Sequence, residues 1–403
     1  MTNSFLKLNK INNLININYV SILFSFFIFF WMIKIGFFQL RFLILILLVP
    51  IFLNFNNKLF KKFIIYFIFS IIFLLHSHIQ SNNLLSNIYY NSFSILILFS
   101  LFFIFDCYKK FFFENLDKII YLYLIILFIF IAYQFFLYND FFSEVSNKCI
   151  DCLSILKHFH KENSHFGLLS SAIIYYLLFI SKVSKYIRFP FLILFCIVCL
   201  VNLSITFVVG IVLVFFSTIT FHNKSHIFYK FIFFIIIAIP IILNQELDKR
   251  KISDFFTVNN KIDLRTNLST EVYQVSLFVT KKAILEKPFG YGINNYELAF
   301  QKYISEYDIH NVETAYLNKK DGSTNFAKIV TEFGIFSIFL FYFLFSFVLS
   351  KNIDIKMKIF FIIPIFLQLF VRGVGYFNAG FLLFLFYAFI IWREKHSTDD
   401  KIK

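Results

Sequence analysis

Residues 323–349 read STNFAKIVTEFGIFSIFLFYFLFSFVL, and this stretch joins a polar segment to an apolar one. The polar segment 244–332 ends here, and from Phe333 to Leu349 almost every residue is apolar. A run of about twenty apolar residues spans the hydrocarbon core of a bilayer, and somewhat shorter runs suffice when flanking residues snorkel. The stretch therefore predicts a chain that returns to a membrane after a long polar loop.

The composition on both sides of this loop is typical of a membrane protein. Hydrophobic residues make up 59% and charged residues 15%, whereas soluble domains carry about 25% charged residues. Phenylalanine alone occurs 66 times, and the excess of Phe and Lys looks like a coding bias, so the scarce arginines and glycines are more informative. The net charge of +15 is spread over short loops between spans, which excludes a nucleic-acid partner.

Hydropathy predicts an all-α, polytopic protein of about 12 transmembrane helices. The whole chain, 1–403, is predicted to be one integral membrane domain, with the large external loop 244–332 between its ninth and tenth helices. The first apolar run is expected to be a span and not a cleaved signal peptide, because no small-residue cleavage site follows it. The predicted spans are 19–33, 39–53, 63–79, 88–105, 119–138, 166–180, 189–201, 204–221, 227–243, 333–349, 359–371 and 376–392.

Basic residues alternate between loops that are rich in them and loops that are poor in them. The rich loops hold Lys58, Lys61, Lys62; Lys109, Lys110, Lys118; Lys182, Lys185, Arg188; Lys224, Lys230; Lys351, Lys356, Lys358; and Arg393, Lys395, Lys401, Lys403. The poor loops hold Lys34, Lys148, Lys157, Lys161 and Arg372. Short loops rich in Lys and Arg stay in the cytoplasm, so both termini are predicted to be cytoplasmic and the long loop external.

Among the six arginines, Arg265 lies in the long loop and Arg372 in the last outer turn, both on the predicted external side. A guanidinium group binds phosphate through a planar fork that lysine cannot reproduce. An ordinary headgroup-snorkelling role is the alternative, although Arg372 ends an apolar span, where a charge is costly without a partner. Arg265 and Arg372 are therefore candidate phosphate ligands.

Other candidate residues lie on the same side. His310, in the long loop, could abstract a hydroxyl proton near neutral pH, although a lone loop histidine is more often inert. Glu162 and His165 form a second external group just before a span. Ser204 and Thr206 begin a span and could contact a ligand, or could equally bond their own helix.

A Cys-x-x-Cys pair, Cys149 and Cys152, precedes His158 and His160 on the external side. The spacing fits a zinc site, and a local disulfide fits equally well in an oxidising compartment. The sequence leaves these two alternatives open.

The run KPFGYGINNY at 287–296, preceded by Arg265, resembles the outer loop of the O-antigen polymerase and ligase superfamily. Its members show an arginine, a helical stretch and then a Pro-x-Gly-x-Gly turn. The segment STNFAKIVTEFG at 323–334 is similar to the family's re-entry segment, where a Glu-x-Gly precedes a span. The turn RGVGYFN at 372–378 resembles the last outer turn of Wzy-type polymerases.

The resemblance extends to ENSHF at 162–166 and to SIT at 204–206, while the N-terminal spans match in hydropathy only. Ligases carry a histidine in the re-entry segment. Here 323–326 reads STNF, which favours the polymerase over the ligase.

The resemblance implies a metal-independent glycosyltransferase of lipopolysaccharide biosynthesis in the bacterial inner membrane, without a cofactor. It would polymerise oligosaccharide repeat units linked to undecaprenyl pyrophosphate on the periplasmic face, with a chain-length regulator as a protein partner. The implied catalytic residues are His310, Arg265 and Arg372, with His165 as a less favoured base. The implied substrate-binding residues are Glu162, His165, Ser204, Thr206, Gly290, Tyr291 and Gly292.

Two other functions stay open at this stage. An O-antigen ligase, which transfers finished chains to lipid A core, would share the fold and the donor. A polysaccharide flippase or exporter would need polar residues deep in its spans, and Gln134 and Gln368 are among the few candidates.

Overall fold

The computed structural model describes residues 17–29, 34–35, 38–80, 85–137, 163–201, 204–221, 268–309, 312–376 and 378–399. Apart from a two-residue antiparallel ladder, β1 (Lys34–Ile35) with β2 (Phe38–Gln39), the secondary structure of these residues is helical. The predicted all-α class is confirmed.

The α-helices of the described residues are α1 (Ile17–Phe29), α2 (Leu48–Leu53), α3 (Asn57–Gln80), α4 (Leu85–Glu114), α5 (Leu116–Leu137), α6 (Asn163–Phe179), α7 (Lys185–Val201), α8 (Ile205–Phe221), α9 (Leu268–Glu286), α10 (Tyr296–Tyr303), α11 (Asn325–Phe333), α12 (Ser337–Leu349), α13 (Ile355–Phe366) and α14 (Ala379–Asp399). Short 3₁₀ segments occupy Leu40–Leu47, Ile304–Glu306, Val312–Ala315 and Gly334–Phe336, and a π-helical turn, Leu367–Val371, extends α13. Each predicted span overlaps helical structure except 227–243, which lies outside the described residues.

Within the described residues, two helical runs are long and apolar enough to cross a membrane, α3 and the run Asn325–Leu349 that contains α11 and α12. A third candidate is the pair Ser92–Glu114 and Leu116–Ala132, if the two helices count as one span, because they are bent by 92° at the break. Asn115 lies at this bend, and its side-chain amide donates to the carbonyl of Phe111. The count of twelve spans is not confirmed and stays a prediction.

One large apolar core holds most of the helices together. In it α1 packs on α5, α3 on α4, α6 on α8 and α13, and α13 on α14. Aromatic rings fill much of the space, as where Phe112 stacks on Tyr387 with ring centroids 3.9 Å apart.

The polar loop builds a second, smaller core of its own. The buried side chains of α9, α10 and the turn between them form it: Val275, Val279, Ala283, Tyr291, Tyr296, Ala299, Phe300 and Tyr303. On its surface the ammonium of Lys302 donates to Glu286 at 2.5 Å and holds the pKa of that carboxyl below its usual value. The described part of the loop from Leu268 onward therefore has a core of its own and is not a bare connection.

Helix α3 separates the two faces that the sequence predicts. Near its start, Lys62 lies 2.8 Å from the buried carboxylate of Asp106, which also pairs with Arg393 at 3.2 Å. At its other end, a ring nitrogen of His76 lies 3.0 Å from the carbonyl oxygen of Phe289. A helix of 24 residues is about 36 Å long. Residues predicted to be cytoplasmic and the glycine turn predicted to be external thus lie at opposite ends of one apolar helix.

Thiol labelling tests this sidedness in a chain whose five cysteines are replaced by serine or alanine. A membrane-impermeant maleimide should modify Lys320→Cys, in the polar loop, in intact spheroplasts. Lys61→Cys, at the exposed start of α3, should react only after the membrane is permeabilised, because lysine-rich short loops are retained in the cytoplasm. Equal labelling of both positions in intact spheroplasts would contradict the predicted topology.

Candidate functional site

Three segments that are far apart in the sequence meet beside the His76 end of α3, the end predicted to be external. They are the glycine turn 287–296, the segment 323–334 containing α11, and the last outer turn after Arg372. Backbone amide-to-carbonyl hydrogen bonds join the first two: Tyr291 to Thr331 (2.9 Å), Gly292 to Glu332 (2.9 Å) and Ile335 to Pro288 (2.8 Å). A fourth joins Gly373 of the outer turn to Ser323 (2.8 Å). Three of the motifs on which the predicted resemblance rests therefore form one hydrogen-bonded assembly.

Glycines allow the close backbone approach on which this assembly depends. Gly290 has φ of 86° and Gly334 has φ of 54°, both in the region that side chains disfavour. A Cβ on Gly290 would overlap the carbonyl oxygen of Glu332, and one on Gly334 would overlap the carbonyl oxygen of Pro288. The backbone that Gly290 approaches is the protein's own. The predicted contacts of the glycine turn with a sugar or phosphate stay a prediction.

The carboxylate of Glu332 is the centre of the assembly, and its residue is 0% exposed. It accepts hydrogen bonds from the backbone amides of Asn294 (2.9 Å) and Tyr296 (3.1 Å) and from the phenol of Tyr376. The ammonium of Lys328 lies 3.9 Å away. A buried carboxylate is stable only when such hydrogen bonds and a countercharge offset its desolvation. One side chain thus connects all three segments.

Lys328 extends the charged network from Glu332 toward the surface. Its side chain is 5% exposed, and its ammonium donates to the carboxylate of Asp321 (3.1 Å), which is half exposed, and to the carbonyl of Lys320 (2.9 Å). The same ammonium lies 5.4 Å from the centre of the Tyr376 ring. The start of α11 is fixed separately, because Thr324 accepts from the amide of Ala327 (3.2 Å) as its N-cap.

Arg372 is half-buried and directly follows the π turn. Its backbone is extended, with φ of −151°, and its amide donates to the carbonyl of Leu367 at 2.9 Å. Because the next residue, Gly373, is bonded to Ser323, Arg372 is held beside the start of α11. Phe366 and Phe370, about 40% exposed, lie on the turns before it. A cation and exposed aromatic rings therefore share this end of the molecule.

The remaining predicted site residues are placed unevenly. Tyr291 is 4% exposed, and its hydroxyl lies 3.1 Å from that of Tyr303, inside the core of the loop. Ser204 accepts a hydrogen bond from the amide of Phe207 (3.2 Å) and so bonds the start of its own helix, the alternative that the sequence left open. Thr206 is 3% exposed.

Several predicted residues lie outside the described residues: Arg265, His310, Glu162, Cys149, Cys152, His158 and His160. His165 lies in the first turn of α6, and its side chain is likewise outside the description. Three points therefore stay predictions: that Arg265 lies close to Arg372, which residue is the base, and whether the two cysteines bind zinc or form a disulfide. Within the described residues no group of three or more His, Cys, Asp or Glu side chains is placed to hold a metal ion.

Glu332 has no predicted role of its own in the sequence, where it appears only as part of the segment 323–334. A signal was present, because a carboxylate directly before an apolar run is costly unless it has partners. Those partners, 294–296 and Tyr376, lie too far away in the sequence for spacing to reveal them.

Comparisons with family models, curated proteins and solved structures found no match. The fold and the site therefore define the class in general terms. Apart from one two-residue ladder, the described part of the protein is helical; it has helices long and apolar enough to cross a membrane, and the turn that carries an arginine belongs to its buried carboxylate assembly.

Substituting glycines tests whether the fold depends on the close approach of the glycine turn to the backbone at Glu332. Gly290→Ala should lower the unfolding temperature in detergent more than Gly322→Ala does. Both positions have positive φ, which costs an L-residue about 1–2 kcal/mol. Only Gly290 is pressed against backbone, whereas the nearest atom to a Cβ on Gly322 would be 3.3 Å away. Equal effects of the two substitutions would show that the turn does not depend on this contact.

Removing the charge at the centre tests the role of Glu332. Glu332→Gln keeps the shape but turns an NH₂ group toward hydrogen-bond donors and removes the buried one of the two carboxylates that face Lys328, so it should cost about 3–5 kcal/mol of unfolding free energy. Glu297→Gln is the control, because Glu297 pairs with the more exposed Lys319 and Lys320 and such pairs contribute about 0–1 kcal/mol. Unfolding by denaturing detergent measures both variants, and a cost at Glu332 no larger than at Glu297 would refute the assignment.

Proposed function

We propose that this chain is a metal-independent membrane glycosyltransferase that polymerises oligosaccharide repeat units linked to undecaprenyl pyrophosphate. The product would be O-antigen or a related surface polysaccharide, made on the periplasmic face of the bacterial inner membrane. The observation that supports this most strongly is the assembly at Glu332. It joins the glycine turn, the re-entry segment and the turn that carries Arg372.

The position of the assembly also supports the proposal. It lies at the end of α3 opposite Lys62 and Arg393, which is the external end in the predicted topology. Many apolar side chains of α3 and α12 are exposed, including Ile65, Ile72, Phe339 and Tyr342, and surfaces of this kind suit contact with lipid. A substrate with a polyprenyl tail in the membrane and sugars outside it would meet Arg372 at the boundary.

The proposed reaction forms one glycosidic bond and breaks one phosphoester bond. A hydroxyl oxygen of the acceptor repeat unit attacks the anomeric carbon of the donor's first sugar. The bond from that carbon to the pyrophosphate oxygen breaks, and undecaprenyl pyrophosphate leaves with the electron pair. The hydroxyl proton passes to a base, for which His310 is the leading candidate and His165 the second.

Arg372 would stabilise the charge that grows on the pyrophosphate as the bond breaks, together with Arg265. A guanidinium held in advance by the fold is effective here, because it needs no reorganisation during the reaction. The backbone bond from Gly373 to Ser323 and the Glu332 assembly would supply this support. A chain-length regulator acting on the external loop would be a protein partner.

Arg372→Lys tests the proposal in cells that lack the native gene. Lysine retains the charge but not the bidentate fork, and loss of one such contact typically slows the chemical step by about 10²–10³-fold. Gels of surface glycan should show long chains replaced by lipid A core carrying a single repeat unit. Arg188→Lys, at the opposite face, is the matched control and should leave long chains intact.

Three results would count against the proposal. Normal chain length in Arg372→Lys would remove the assigned role of the arginine. Loss of every repeat unit from lipid A core after gene deletion would indicate a ligase, because a polymerase deletion retains single units. Repeat units left on the cytoplasmic side after deletion would indicate a flippase.

A further inference from the structure

Two side-chain amides are buried without partners in the elements that flank Arg372. Asn325 and Gln368 are each 0% exposed, and neither amide has a hydrogen-bond partner for its oxygen or its nitrogen within the part of the chain that the structure describes. Buried polar groups in native proteins are almost always hydrogen-bonded, because an unpaired one loses its water without compensation. Each amide therefore calls for a partner that the described chain does not supply.

Both residues lie in elements that adjoin the segment carrying Arg372, and the amide nitrogen of Gln368 would be 3.3 Å from a Cβ on Gly380, at the start of α14. Asn325 begins α11, and a Cβ on Gly373 would overlap its backbone nitrogen. Gln368 lies in the π turn, four residues before Arg372 and one after Leu367, which accepts from the amide of Arg372. The two elements are in contact, because the ring centroids of Phe326 in α11 and Phe370 in the π turn lie 5.7 Å apart. Single π turns inside helices occur frequently at functional sites.

The chemistry of the two amides defines the kind of group that would satisfy their hydrogen-bond donors and acceptors. Each amide offers two N–H donors and one oxygen acceptor. A pyrophosphate can only accept, so it would leave both amide oxygens unpaired. Sugar hydroxyls donate and accept, and so they satisfy both ends of an amide.

We propose that Asn325 and Gln368 form a subsite that recognises hydroxyl groups of the sugar attached to the pyrophosphate, next to Arg372. This proposal rests on the proposed function. It goes beyond that function by assigning recognition of the lipid pyrophosphate and recognition of the sugar to different residues. Arg372 would bind the pyrophosphate of any such lipid, whereas the two amides would select for the sugar that the lipid carries.

A buried amide with partners provides the matched control. Asn378 is 1% exposed, donates to the carbonyl of Gly375 (2.6 Å) and accepts from the amide of Phe381 (2.7 Å). Replacing Asn378 by leucine removes bonds that hold the fold. Replacing Gln368 by methionine, or Asn325 by leucine, removes none of the bonds that the described chain makes through these side chains.

The test measures binding of two probes to the purified full-length protein: undecaprenyl pyrophosphate carrying one repeat unit, and sugar-free undecaprenyl pyrophosphate. The wild type should bind the sugar-bearing lipid about 10-fold or more tightly than the sugar-free lipid. Gln368→Met and Asn325→Leu should each lose most of that preference, bind the sugar-free lipid as the wild type does, and keep the wild-type unfolding temperature. Asn378→Leu should lower the unfolding temperature.

The outcomes separate the subsite from the function. Equal binding of both lipids by the wild type, or an unchanged preference in the two variants, would overturn the subsite alone. A fall in unfolding temperature like that of Asn378→Leu would show that the amides serve the fold and would also overturn it. Failure of the wild type to bind either lipid would overturn the proposed function and the subsite with it.

Discussion

The buried carboxylate of Glu332 holds together the three segments at the end of this protein that is predicted to be external. Water is excluded from it, so its free energy depends on the donors that converge on it from Asn294, Tyr296 and Tyr376 and on the nearby ammonium of Lys328. Electrostatic interactions strengthen in such low-dielectric surroundings, and an unpaired group there is correspondingly costly. Because the donors come from two other segments, the charge can be accommodated only when all three segments are in place.

This constraint gives the site its rigidity. Backbone contact through Gly290 and Gly334 brings the turn against α11, and the bond from Gly373 to Ser323 brings the outer turn against the start of that helix. Arg372 is then carried by a segment fixed at both ends. Groups that stabilise charge during a reaction are most effective when the fold holds them in advance. A structural carboxylate and a phosphate-binding cation would thus have separate tasks at one face.

Local patterns in the sequence predicted the helices well, because apolar runs and basic loops are properties of neighbouring residues. The number of spans stays a prediction, and local patterns do not reveal the 92° bend between the helices on either side of Asn115. The motifs were recognised, but the pairing of Glu332 with residues near 295 and 376 was not, because it depends on tertiary contact. Ser204 shows the same limit, since its spacing fitted a ligand contact and a bond to its own helix equally.

Reconstituting the purified protein in liposomes with lipid-linked repeat units tests the account most directly. With no metal added, the account predicts a ladder of longer lipid-linked glycans and one undecaprenyl pyrophosphate released for each bond formed. Movement of intact repeat units across the bilayer with no new glycosidic bond, or no change in the lipid-linked units at all, would contradict it.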